Sequence, residues 1–252
     1  GYGGRVGGLE VHSDIIPPYL LHCGTEAQRQ HWLPRLVSGA AVGAIGMTEP
    51  GAGSDLKAIR TTARKEGDGY VINGSKIFIS NGQHCDLIVL AAKTDPAGGA
   101  KGVSLFLVDT KSPGFTRGQN LEKIGQHAGD TSELFFNDLR VPADALLGGL
   151  EGQGFVQMMR ELPRERLIIG VQAVYGAKGA LDATVKYVQE RQAFGQAIGQ
   201  FQNTRFTLAQ CASDIAAAEA FLNASVAAYE RGELSPEAAS ALKLHTTEVM
   251  GR

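Results

Sequence analysis

Apolar positions along this chain change period twice. Residues 9 to 40 carry a helical pattern, with an apolar-rich stretch at 14–22 in which Pro17 and Pro18 mark a first turn or a break. Thr25 stands as an N-cap for a helix over 26–37, and Trp32, Leu33, Leu36 and Val37 recur at helical spacing, which predicts a packing face. Ser38-Gly39 closes that segment. From Ala41 to about Asn137 short runs rich in β-branched or aromatic residues take over, at 61–65, 69–73, 76–80, 87–93, 103–109 and 133–136. Gly67-Asp68-Gly69, Asn73-Gly74, Asn81-Gly82, residues 95–99 and Ser112-Pro113-Gly114 separate them with turn chemistry. No helical pattern intervenes, so a parallel βαβ sheet is not expected; a small antiparallel barrel or sandwich is.

Beyond Val141-Pro142 and the glycines at 148, 149, 152 and 154, helices return. Residues 155–161 and 164–189 predict one long element around Pro163. Leu208, Cys211, Ile215, Ala218, Leu222, Val226 and Tyr229 describe one apolar face, and a further helix starts at Ser235-Pro236-Glu237. The fold class is therefore α+β. Its expected divisions are a helical segment over 1–40, a β domain over 41–150 and a helical domain over 151–252.

Composition narrows the function classes. The 252 residues are 43% hydrophobic and 20% charged, with a formal net charge of −2, which gives no footprint for nucleic acid or an anionic membrane. No apolar run approaches a membrane span, and the opening Gly-Tyr-Gly-Gly-Arg lacks the core of a signal peptide. Cys23, Cys85 and Cys211 are odd in number and far apart, which fits free thiols in a reducing compartment. His84, Cys85 and Asp86 are adjacent and on an extended chain point to opposite faces, so no metal site is expected.

The stretch from Met47 to Asp55 carries the first candidate chemistry. Two glycines flank Ala52, a pairing that lets a backbone pass close to a ligand and adopt dihedrals closed to other residues, while Pro50 stiffens the approach. Free amides and the hydroxyls of Thr48 and Ser54 suit an anionic or polar cofactor. On glycine chemistry alone the segment is an ordinary surface turn. It is neither a P-loop, since no Lys follows the glycines, nor a dinucleotide fingerprint, since Leu56 stands where glycine is needed.

Four blocks in order change that reading. Residues 23–39, Met47 to Asp55, Asn73 to Gly82 and Arg191-Gln-Ala-Phe-Gly195 together resemble the acyl-CoA dehydrogenase family, over essentially the whole chain. The resemblance implies a helical, β and helical arrangement and an FAD enzyme that desaturates an acyl-CoA thioester to the trans-2-enoyl form in acyl catabolism. Electrons would pass to an electron-transfer flavoprotein. It also implies a homodimer or homotetramer, in a bacterial cytoplasm or the mitochondrial matrix, and a chain lacking both ends of the family's full length, so that 1–40 is the end of a longer domain and 151–252 is incomplete. Same-fold alternatives are an acyl-CoA oxidase or a flavin monooxygenase; a non-catalytic binding module is the alternative of another class.

The site residues follow from the same match. Ile45, Met47, Thr48, Gly53 and Ser54 would run along the flavin, and Phe78, Ile79 and Ser80 would cover its ring. By strand alternation Phe78 and Ser80 share one face; without the resemblance they read as a core aromatic and a strand-edge serine. Arg191 and Phe194 match the block that reaches the flavin pyrophosphate of a neighbouring subunit, and Phe201 with Gln202 a further flavin contact. Ser54 and Arg166 match substrate contacts. Residues 161–167, Glu-Leu-Pro-Arg-Glu-Arg-Leu, resemble the long-chain and isovaleryl branch, in which the glutamate matching Glu165 is the base. Leu162, Leu167 and Ile168 would exclude water from it. By spacing alone Glu161 and Glu165 are surface salt-bridge partners of nearby arginines.

Overall fold

The computed structural model describes residues 8–252, and these divide into two compact units that meet in sequence at Glu161 and Leu162. The opening glycine-rich residues 1–7, part of the expected 1–40 segment, lie outside the described residues.

The first unit opens with a π-helical turn, Val11–Ile15, that runs into α1 (Ile16–Cys23). Pro17 and Pro18 fall in the first turn of α1, directly after the π-helical turn. Helix α2 (Glu26–Val37) begins with a reciprocal capping box. The Gln28 N–H donates to Thr25 Oγ1, and the Thr25 N–H donates to Gln28 Oε1. Trp32 and Leu36 are buried as their spacing predicts, but Val37 at the end of the helix is 85% exposed.

Seven strands make one curled sheet: β1 (Gly43–Gly46), β2 (Thr62–Glu66), β3 (Gly69–Ser80), β4 (Leu87–Lys93), β5 (Val103–Asp109), β6 (Phe115–Asn120) and β7 (Thr131–Pro142). Their order is β1-β4-β2-β3-β7-β6, with β5 on β4. The sheet is mixed and not purely antiparallel, because β1 and one residue of β2 pair parallel to β4. The runs at 69–73 and 76–80 form a single strand, bent by register shifts against β7.

Both faces of the sheet centre are covered, which explains the unbroken apolar runs of β4 and β5. Leu87, Val89 and Ala91 join Leu105 and Leu107 in a core shared with Ile16, Tyr19, Leu20, Trp32 and Leu36 of the helices. The alternate residues Ile88, Leu90 and Ala92 face Ile72, Phe106, Leu134 and Phe136 in the second core.

Helix α3 (Gly154–Glu190) runs through Pro163 without a break and contributes to both units. In the second unit it is followed by a hairpin of β8 (Gln192–Ala193) and β9 (Gln196–Ala197), then α4 (Gln202–Glu230) and α5 (Pro236–Gly251). Ser235 caps α5 by accepting the Ala238 N–H, and Pro236 occupies its first turn. Leu167, Val174, Ala218, Leu222 and Leu242 form the core of this unit. Of the stripe read along α4, Ile215, Ala218 and Leu222 are buried, whereas Tyr229 is exposed. No helix among the described residues is long and apolar enough to cross a membrane.

Candidate functional site

The loop after β1 is fastened to β3 by one buried ion pair. Lys76 has a fully buried side chain whose Nζ donates to Glu49 Oε1 at 2.8 Å and to the Met47 carbonyl at 3.0 Å. The Glu49 carboxylate also accepts the backbone N–H groups of Arg60 at 2.6 Å and Thr61 at 3.0 Å. Burial alone would raise the Glu49 carboxyl, but the Lys76 charge and these hydrogen bonds outweigh it and hold the group below its usual range. Burial pushes the Lys76 ammonium down to about 8, against the pull of Glu49. The Ile77 N–H donates to the Thr48 carbonyl at 3.0 Å, and Glu49 and Ala52 exchange two backbone hydrogen bonds across the Pro50-Gly51 turn.

These contacts bring Ile45, Met47, Thr48, Phe78, Ile79 and Ser80 into one neighbourhood, with Gly53 and Ser54 exposed at the loop's far end. The glycines act differently from expectation. Neither Gly51 nor Gly53 has a positive φ, so no unusual dihedral is needed there; a Cβ at either would meet nothing within 4 Å. Their contribution is open space beside the backbone. The hydroxyls of Thr48, Ser54 and Ser80 are engaged by no other described residue.

Phe78 is not a core aromatic. It is 62% exposed and has φ 61°, while the register of β3 against β7 shifts between Lys76 and Ile79. A bulge therefore interrupts the plain alternation assumed for Phe78 and Ser80. Ile79 is buried in the sheet core, so only its main chain is free to face a ligand.

In the second unit the predicted residues gather at the β8–β9 hairpin. Phe194 and Gly195 have φ 53° and 80°, the paired left-handed dihedrals of a two-residue hairpin turn, which carries the Phe194 ring out to 96% exposure. Phe201 meets that ring edge-on at 6.1 Å, and Gln202 opens α4 directly after it. Arg191 is exposed, and its carbonyl accepts the Ile198 N–H at 2.8 Å. Glu165 and Arg166 are half-buried on α3, just past Pro163.

Glu161 overturns its surface reading. It is 3% exposed, and His22 Nδ1 lies 2.8 Å from its Oε1. Sequence reasoning also missed Lys76 and Glu49. A lone lysine in a strand reads as solvated, and nothing local signals a partner 27 residues away. A cleft of about 380 Å³ in the first unit lies elsewhere, between Thr25, Gln28, Trp32, Asp109 and Asp144, and is lined by none of the predicted site residues.

Models of the acyl-CoA dehydrogenase N-terminal, middle and C-terminal domains match residues 1–40, 44–139 and 152–252. The chain belongs to the acyl-CoA dehydrogenase family. The mitochondrial long-chain specific acyl-CoA dehydrogenase of Sus scrofa is 43% identical over 244 residues, 96% of this chain and 56% of that protein. The crystal structure of an acyl-CoA dehydrogenase from Geobacillus kaustophilus superposes with a TM-score of 0.94 at 46% identity, covering 96% of this chain and 64% of that one. A glutaryl-CoA dehydrogenase from Mycobacterium smegmatis, in complex with FADH2, gives a TM-score of 0.87 at 32% identity over 93% and 59%. The chain thus spans little more than half the length of its mitochondrial relative. Membership in this family accounts for the order of helices, curled sheet and helices, and the long-chain relative agrees with the branch that residues 161–167 resemble.

Proposed function

We propose that this chain works as part of an FAD-dependent acyl-CoA dehydrogenase that removes two hydrogens from the carbons next to a thioester, with electrons leaving to an electron-transfer flavoprotein. The observation that carries the reading is Phe78, a bulky side chain held in left-handed backbone and turned into the open beside a loop with unengaged hydroxyls. Such strain persists where the surroundings enforce it and concentrates at ligand-facing positions. The residues present fit a flavin: an exposed aromatic for stacking, open space along Gly51 and Gly53, and donors at Thr48, Ser54 and Ser80.

When bound, the flavin supplies a hydride-accepting centre. Ile45, Met47, Thr48, Gly53 and Ser54 would line it and Phe78 to Ser80 would cover it. Arg191, Phe194, Phe201 and Gln202 would bind the cofactor of a neighbouring subunit, which makes the assembly a homodimer or homotetramer. Ser54 and Arg166 hold the polar part of the acyl-CoA. Glu165 takes the proton from the carbon beside the thioester carbonyl and keeps it on its carboxylate. The proposed divisions remain 1–40, 41–150 and 151–252, and the proposed compartment is a bacterial cytoplasm or the mitochondrial matrix.

The test is anaerobic mixing of the FAD-loaded full-length protein with a panel of acyl-CoA thioesters. Bleaching of the flavin by at least one thioester supports the reading. No bleaching by any member overturns it, and sustained peroxide formation without an added acceptor would assign an oxidase instead.

A further inference from the structure

The proposed chemistry leaves one buried cation without a task. Lys76 is 1% exposed, and burying an ammonium is expensive unless partners compensate it. Its partners are the Glu49 carboxylate and the Met47 carbonyl, at 2.8 and 3.0 Å. The second contact has a consequence across the peptide plane. The described residues contain no cis peptide, so the carbonyl of Met47 and the N–H of Thr48 point in opposite directions. With the carbonyl drawn toward the buried ammonium, the Thr48 N–H is aimed away from it, and no other described residue accepts it. The next carbonyl, that of Thr48, is pinned by the Ile77 N–H at 3.0 Å, so the peptide cannot swivel freely.

We propose that Lys76 is a positioning residue for the cofactor: its ammonium orients and polarises the Met47–Thr48 peptide, so that the Thr48 N–H is presented as a strengthened donor to an electron-rich atom of a bound flavin ring. The inference rests on reading residues 47–54 as the flavin loop. Hydrogen bonds in a chain polarise one another, and a pre-aimed donor stabilises negative charge as it develops. Lys76 therefore makes the bound cofactor easier to reduce. Glu49 supplies the counter-charge that lets the ammonium stay buried, and it is the charged group that perturbs Lys76. With its value at about 8, Lys76 is mostly charged at neutral pH and loses its charge above that.

The experiment compares the full chain with Lys76→Met and with Lys76→Met/Glu49→Gln. The double variant removes both charges while keeping side-chain shape, which protects against a single variant that fails to fold. The first readout is the midpoint potential of the FAD-loaded protein. The equilibrium for two-electron reduction should fall by about tenfold, which is ~30 mV, in every folded variant lacking Lys76. An unchanged potential in the double variant overturns the proposal. The second readout needs no cofactor: the Thr48 amide resonance of the flavin-free chain should shift as pH rises through about 8 and stay flat in the double variant. A Thr48 amide that ignores both pH and substitution overturns the polarisation. Should the wild-type chain take up no FAD at all, the flavin reading falls and the redox role falls with it, whereas the amide readout still decides whether Lys76 polarises the peptide.

Discussion

Phe78 and Phe194 occupy the same unfavourable backbone region and are held there by different means. They are the two aromatics among the five non-glycine residues with positive φ in the described chain. Phe78 interrupts a long strand between Ile77, whose N–H is tied to Thr48, and Ile79, which is locked in the sheet core. Phe194 sits at the tip of a two-residue hairpin with one ring contact, Phe201. At Phe78 a buried network enforces the strain. At Phe194 the turn geometry itself demands positive φ, and Asn or Gly would serve that turn better. Both rings stand largely in solvent, and the one ring contact they make among the described residues is the edge-on meeting of Phe194 with Phe201.

The network under Phe78 can be broken directly. Lys76→Met leaves Glu49 buried without its counter-charge and should cost about 3 to 5 kcal/mol of unfolding free energy, while Lys76→Met/Glu49→Gln should recover most of that. Denaturant unfolding of the three proteins measures it; equal losses in both variants would show that the pair is not the fastener. The pH dependence carries a matching signature. Lys76 titrates at about 8 in the folded chain and at 10.5 when unperturbed, so between those values the unfolded chain holds more protons. Wild-type stability should therefore rise with pH across that window relative to the double variant. Glu49 is held below 4.5, so its contribution is present above that value and is lost on acidification below it.

Relieving the strain sharpens the contrast on a smaller scale. Phe78→Asn, which tolerates left-handed backbone, should raise stability by about 1 kcal/mol and weaken FAD binding at least tenfold. A fall in stability would mean the ring supports the fold. Phe194→Asn should change stability least, because relief of the turn is offset by loss of the edge-on Phe201 contact, worth about 0.5 to 1.5 kcal/mol. Thermal unfolding and FAD titration read both effects, and unchanged FAD affinity in Phe194→Asn would remove that residue from the site.

The sequence made the scaffold legible where the local signal was strong. The limits of β4 and β5, the N-cap at Thr25 and the start of α5 at Ser235-Pro236 all follow from short-range chemistry. Strand β1 escaped because Gly43 and Gly46 dilute its β propensity, and β6 because Thr116 to Asn120 reads as a polar loop. The family resemblance supplied a set of candidate positions, but how the fold holds them was not readable from the sequence. Lys76 and Glu49 are 27 residues apart, and His22 and Glu161 are 139 apart. Neither pairing has a periodic signal, and each depends on tertiary packing that strips water from groups which in sequence look solvated. The bulge at Phe78 is equally silent, since nothing in Lys-Ile-Phe-Ile-Ser marks a residue that leaves the β region.

The assignment of catalysis to this chain's own residues turns on Glu165, half-buried on α3 one helical turn after the buried Glu161. A general base contributes about 10²- to 10⁴-fold to rate, or about 3 to 5 kcal/mol of barrier. The decisive measurement is rapid-mixing flavin reduction by the best acyl-CoA thioester in the FAD-loaded full-length protein and its Glu165→Gln variant. The account predicts that the variant stays yellow, binds the thioester with similar affinity and reduces its flavin at least a hundredfold more slowly. Reduction within about tenfold of the wild-type rate would contradict it and place the base elsewhere.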